Sequence, residues 1–126
     1  MTVAYVDTSC LVAIAFGERG ATQINRRLKG FDELVSANLL EAELRAAFVR
    51  EAVEGAPEAL GALSWVLPHR PLSQEIATVL AGGYVRGADC WHLASALYVS
   101  GTPGDLTFLT LDSTQKRAAA RLGFKT

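Results

Sequence analysis

Val3-Ala4-Tyr5-Val6-Asp7-Thr8-Ser9-Cys10-Leu11-Val12-Ala13-Ile14-Ala15-Phe16-Gly17 decides the fold class of this chain. The first four residues are an uninterrupted apolar run, too short for a helix, and read as a fully buried strand. Asp7-Thr8-Ser9 is a polar turn, with Thr8 or Ser9 as the cap of a helix from Cys10 to Phe16 that stops at Gly17. A buried strand followed at once by a helix is the signature of a layered sheet protein.

The alternation continues along the chain. A more polar helix from about Glu18 to Leu28 carries Arg19, Arg26 and Arg27, and Gly30 ends it. Glu33 to Ser36 reads as a second strand. A long helix then runs from about Asn38 to Val53, with Asn38 as cap and Gly55 as stop. Pro57 opens a helix expected to reach Trp65, and Val66-Leu67, interrupted by Pro68 and Pro71, is an edge strand or a loop. Ser73 caps a helix from Gln74 to about Val85, and Asp89 opens another that runs to Ser100. Leu106 to Thr110 is a buried strand, Asp112 to Leu122 the last helix, and Phe124-Lys125-Thr126 a final short strand. Strands alternating with helices predict one α/β domain over residues 1–126 with a mostly parallel sheet.

With 126 residues, 50% of them apolar and 20% charged, the chain is long enough to bury a core without disulfides or a structural metal. No run approaches the ~18 apolar residues of a membrane span. Met1-Thr2-Val3 lacks the basic start of an export signal, so the expected setting is the cytoplasm. Cys10 and Cys90 are far apart and outside any CxxC spacing, which argues against zinc and reads as two reduced core thiols. The net charge of −1 gives no simple basic footprint for nucleic acid, although a handful of acids accounts for the sign.

Those acids are Asp7, Glu43, Asp89 and Asp112. Three of them follow or open apolar runs, a poor position for a merely solvated carboxylate. Parallel sheets bind ligands at the carboxyl ends of their strands, where Asp7 and Asp112 are expected to fall. Converging carboxylates repel one another and call for a hard divalent cation between them. Each acid also has a plainer reading. Asp7, Asp89 and Asp112 could be helix caps or first-turn residues favoured by the helix dipole. On the long helix, Glu41 and Glu43 flank opposite sides of the Leu40-Leu44-Ala47-Phe48 stripe, and helical geometry leaves both open.

Four segments together carry a family resemblance: Val6-Asp7-Thr8-Ser9, Ser36-Ala37-Asn38-Leu39-Leu40-Glu41-Ala42-Glu43-Leu44-Arg45, Asp89-Cys90-Trp91-His92-Leu93-Ala94-Ser95-Ala96, and Leu109-Thr110-Leu111-Asp112. In this order and at these separations, the chain resembles the PIN-domain ribonucleases, and within them the VapC toxins of toxin–antitoxin pairs. The resemblance implies a three-layer α/β/α sandwich and an Mg²⁺-dependent endoribonuclease, with Mn²⁺ as an alternative ion. It implies Asp7, Glu43, Asp89 and Asp112 as metal-holding catalytic residues and Ser9 as a supporting hydroxyl. The family places its second acid just before an apolar–basic pair, here Leu44-Arg45, which favours Glu43 over Glu41. The resemblance further implies an RNA substrate, a VapB-type antitoxin and a homodimer. Cys90-Trp91 is bulkier than the small residue usual after the third Asp.

A cation held by carboxylates would activate a water for attack on the phosphodiester, leaving a 5′-phosphate and a 3′-hydroxyl. Arg45, Arg50, Arg86, Lys116 and Arg117 are the cations placed to meet phosphates. His92, one turn after Asp89, is either a hydrogen-bonded core histidine or a partner to the site. Trp65 and Trp91 read as core or interface. A response-regulator receiver would need paired acids at the first strand, and a haloacid-dehalogenase phosphatase an Asp where Ser9 stands. No Walker-type glycine loop is present. The reading left from another class is a catalytically silent module of the same fold that binds RNA or protein.

Overall fold

The computed structural model describes residues 1–55 and 57–126. The strands β1 (Val3–Val6), β2 (Glu33–Ala37), β3 (Leu63–Val66) and β4 (Leu106–Leu109) form one all-parallel sheet in the order β3-β2-β1-β4. Among the described residues six α-helices accompany it: α1 (Thr8–Phe16), α2 (Ala21–Leu28), α3 (Leu39–Arg50), α4 (Ser73–Ala81), α5 (Gly87–Val99) and α6 (Ser113–Arg121).

Strand alternation builds a core on each face of the sheet. Ala4 and Val6 of β1 point with Leu109 into a cluster with Leu11, Ile24, Leu28, Leu40 and Leu44, which come from α1, α2 and α3. Tyr5, between them in sequence, points the other way and packs with Phe108, Val79, Leu93, Ala94, Ala118 and Ala119 from β4, α4, α5 and α6. Helices therefore cover both faces, which gives the expected three-layer α/β/α sandwich. Of the two buried runs read from the sequence, β1 is an interior strand and β4 is its neighbour at the edge of the sheet, flanked on its outer side by the single bridge from Thr107 to Lys125.

Several local expectations need correction. Neither Thr8 nor Ser9 caps α1: the helix begins at Thr8, Asp7 occupies the N-cap position, and no side chain closes the cap. The Thr8 hydroxyl is given to Glu43 on α3 and the Ser9 hydroxyl to Asp7. Helix α3 stops at Arg50 rather than Val53, and Ala52 takes a left-handed φ of 55°. Its apolar stripe ends at Phe48, and Val49 is already 80% exposed, so there is nothing left to bury. The segment after Pro57 is only a 3₁₀ turn, Glu58–Ala62, and Trp65 lies in β3. The edge strand is thus Leu63–Val66, ahead of the prolines rather than among them. Asn38 occupies the N-cap position of α3 as expected, but its side chain makes no cap bond and donates to Glu41 instead, and Ser73 is the first residue of α4 rather than its cap. The Gly82-Gly83 pair ends α4 short of Val85. Asp89 sits inside the first turn of α5, whose N-cap is Arg86. The tail contributes a single parallel bridge, Thr107 to Lys125, beside β4.

Candidate functional site

The order β3-β2-β1-β4 means that the chain builds outward from β1 on one side, then crosses to add β4 on the other. The connections diverge where that direction reverses, at the carboxyl ends of β1 and β4, and leave a crevice there. Asp7 is the residue after β1, and Asp112 follows β4 as the N-cap of α6.

Asp7 is buried, and its Oδ2 accepts hydrogen bonds from Ser9 Oγ at 2.7 Å and Thr110 Oγ1 at 2.8 Å. Both hydroxyls accept in turn from the next connection, Ser9 from the Leu111 N–H at 3.0 Å and Thr110 from the Asp112 N–H at 3.1 Å. Asp112 Oδ1 accepts from the backbone N–H groups of Thr114 and Gln115, at 2.8 and 3.2 Å. Its capping role is real. Asp89 Oδ2 accepts from Arg86 Nε at 3.3 Å, and the Asp89 carbonyl accepts from Gln115 Nε2 at 3.0 Å, tying α5 to α6 at this point.

The two acids of α3 have separate fates. Glu41 pairs on the surface with Arg45 at 2.7 Å and Asn38 at 3.0 Å. Glu43 turns inward: its Oε1 accepts from Thr8 Oγ1 at 2.8 Å and lies 2.7 Å from His92 Nε2. His92 is only 1% exposed, so it is at once a core histidine and a partner of Glu43.

Electrostatics separate the carboxylates. Burial raises the pKa of Asp89 above the ordinary aspartate value; Arg86 opposes this, while the like charges of Asp7 and Asp112 add to it. Burial works the same way on Glu43, but hydrogen bonds from His92 and Thr8 prevail and hold its pKa below the ordinary glutamate value. Asp89 thus senses both Asp7 and Asp112 as neighbours, and Arg86 links electrostatically to Asp112 and Glu43.

In every one of the four acids, one oxygen is committed to the contacts above. The other, Asp7 Oδ1, Glu43 Oε2, Asp89 Oδ1 or Asp112 Oδ2, has no hydrogen-bond partner among the described residues. As the side chains lie, no three His, Cys, Asp or Glu groups among the described residues close into a cage. The donors are all oxygens, which suits a hard cation. Mg²⁺ in particular keeps several waters and takes only one or two carboxylates directly, so an open set fits it.

Thr8 and Thr110 are the residues that sequence reasoning missed, reading the first as a cap and the second as the end of a strand. The available signal was a hydroxyl residue beside each of Asp7 and Asp112. Among the cations, Arg45 and Arg50 are taken up by Glu41 and Glu51, and Arg117 contacts Thr114 Oγ1 at 3.3 Å. Arg86 stands at the acids. Lys116 lines a cleft of about 290 Å³ with Arg19 and Arg27, and Arg19 also borders the cleft of about 490 Å³ that Ser9 and Asp112 line. Both cysteines are buried, and burial pushes the Cys10 thiol up to about 12, so it is an inert core group.

The family model of the PIN domain matches residues 4–121. The chain belongs to the PIN domain family. PIN domains are generally nucleases, which act on nucleic acid and typically depend on a divalent metal. No curated protein matches the chain. No helix among the described residues is long and apolar enough to cross a membrane.

Proposed function

We propose that this PIN domain is an Mg²⁺-dependent endoribonuclease, with Mn²⁺ as an alternative ion, and the toxin of a VapBC-type pair. The observation that carries the reading is the set of four acids at the strand switch point, each with one oxygen anchored and one free. Asp7 and Asp89 would hold the ion directly, with Glu43 and Asp112 acting directly or through water. A bound divalent cation supplies a water of lowered pKa and neutralises charge on the scissile phosphate.

The chain's own groups do the rest. Ser9 and Thr110 fix the Asp7 carboxylate from two sides, so that it meets the ion without reorienting. Asp112 is held by the first turn of α6 and stays beside Asp7 through Thr110. Arg86, exposed and only 3.3 Å from Asp89, is the cation placed to swing from the carboxylate to a substrate phosphate. Attack by water rather than by the ribose 2′-hydroxyl leaves a 5′-phosphate and a 3′-hydroxyl.

The same reading includes one domain over residues 1–126, a cytoplasmic setting, a homodimer and a VapB-type antitoxin that covers the acids. Expression with and without the neighbouring open reading frame tests the toxin part: growth arrest only in its absence is expected, and unaffected growth would remove it. The rival reading is a catalytically silent module of the same fold that binds RNA or protein, and the presence of all four acids counts against it. End-group analysis of RNA incubated with protein and Mg²⁺ separates the two. New 5′-phosphate ends support the nuclease, and intact RNA in a retained complex supports the silent module.

A further inference from the structure

We infer that Tyr5, His92 and Thr8 form one directed hydrogen-bond chain, with His92 as its Nε2–H tautomer, that positions Glu43 by its Oε1 and leaves Oε2 as the group offered to a ligand. The tautomer follows from the protein's own contacts. That the ligand is a divalent cation rests on the nuclease reading above.

Tyr5 is wholly buried, its hydroxyl 2.7 Å from His92 Nδ1 and 3.0 Å from the Ala37 backbone N–H. A backbone N–H can only donate, so it takes a lone pair of the phenol oxygen and cannot receive its proton. Ser36, nearby, gives its own proton to the Val6 carbonyl at 2.7 Å. Ser36 Oγ and Ser95 Oγ both lie near the phenol, but neither meets hydrogen-bond geometry with it. Among the described residues the one acceptor within hydrogen-bond geometry of the Tyr5 hydroxyl is His92 Nδ1, so the Tyr5 proton goes there. Burial drives the Tyr5 pKa far above its ordinary value, so the phenol keeps its proton to give.

With Nδ1 accepting, the ring proton is on Nε2, which faces Glu43 Oε1 at 2.7 Å and Thr8 Oγ1 at 3.2 Å. Thr8 in turn donates to the same Glu43 oxygen at 2.8 Å. The opposite tautomer would set two lone pairs against each other at Nε2 and Oε1. It would also take the Nδ1 acceptor away from the wholly buried Tyr5 hydroxyl, a further penalty at the dry end of the chain. The proton order is therefore Ala37 N–H to Tyr5, Tyr5 O–H to His92, His92 Nε2–H to Glu43, with Thr8 O–H joining at the end. Each bond polarises the next.

Packing holds the ring geometry. Tyr5 stacks on Phe108 with centroids 5.1 Å apart and planes 6° from parallel, and meets the His92 ring edge-on at 74°. The chain runs from the end of β2 through β1 and α5 to α3, so it joins the two helical layers across the end of the sheet.

Imidazole ¹⁵N NMR of the metal-free protein reads the tautomer without any activity. A pyridine-type Nδ1 and a pyrrole-type Nε2 on His92 are expected, and a pyrrole-type Nδ1 would overturn the inference. Mn²⁺ binding by electron paramagnetic resonance reads the positioning. His92→Leu is expected to weaken it on the order of 10–100-fold, the usual scale for losing a group that orients a ligand. His92→Gln, whose amide N–H can stand in for Nε2–H, is expected to recover most of that loss, which a merely space-filling role would not predict. Binding in His92→Leu equal to wild type, or a His92→Gln variant that folds and binds no better than His92→Leu, would overturn the positioning role. Wild-type protein that neither binds Mn²⁺ nor cuts RNA would remove the nuclease reading and the cation as Glu43's ligand, while the NMR pattern still decides the chain.

Discussion

Thr110 Oγ1 donates to Asp7 Oδ2 across 2.8 Å and accepts the Asp112 backbone N–H at 3.1 Å, so a single hydroxyl fixes two of the four acids relative to each other. Thr110→Val keeps the shape and removes both bonds. A hydrogen bond to a charged, buried acceptor is worth about 1.5–3 kcal/mol, and the loss in chemical denaturation is expected in that range. Thr110→Ser should restore most of it. A Val variant as stable as wild type would show that Ser9 alone suffices to hold Asp7.

Glu43 and Glu41 differ by two positions and by everything else. Glu43→Gln is expected to lower RNA cleavage on the order of 10–100-fold, as for loss of a metal-orienting or metal-binding carboxylate. Glu41→Gln alters only surface contacts with Arg45 and Asn38 and should leave cleavage and melting temperature essentially unchanged. Cleavage assays on the two variants side by side check this. The reverse ranking would mean that the inward carboxylate is purely structural.

Asp89 should make the metal-free protein more stable in acid relative to neutral pH. Its pKa is raised in the folded state by burial and by Asp7 and Asp112. The stability it contributes is therefore fully present below the unfolded aspartate value and lost as pH rises through the higher folded value. Asp89→Asn is thus expected to raise the melting temperature near neutral pH in chelator, with the gain vanishing once wild-type Asp89 is protonated. Melting curves across that range check it, and a variant destabilised at neutral pH would contradict it.

The buried strands β1 and β4 were legible because Val3 to Val6 is a continuous apolar run and Leu106 to Leu109 is apolar but for Thr107, a pattern that fits a sheet covered on both faces. Strand β3 was not. Leu63-Ser64-Trp65-Val66 is short, half exposed and preceded by Glu58-Ala59-Leu60, which reads as helix. The acids were legible as oddities at element boundaries, but their partners were not. Thr110 reaches Asp7 across 103 positions, and His92 reaches Tyr5 across 87, so no local pattern announces either contact. Thr8 and Ser9 misled as well. A hydroxyl at a helix start is usually a cap, and here Thr8 is drawn to the distant Glu43 and Ser9 back to Asp7. Periodicity alone left Glu41 and Glu43 equal, and only the packed positions of Thr8 and His92 separate their surroundings.

The most direct test of the account is cleavage of mixed RNA by purified protein with Mg²⁺, with chelator, and with Asp7→Asn in place of wild type. Fragments with 5′-phosphate ends are expected from wild type with Mg²⁺, and none in the other two conditions. Cleavage that persists in chelator, or that survives Asp7→Asn, would contradict it.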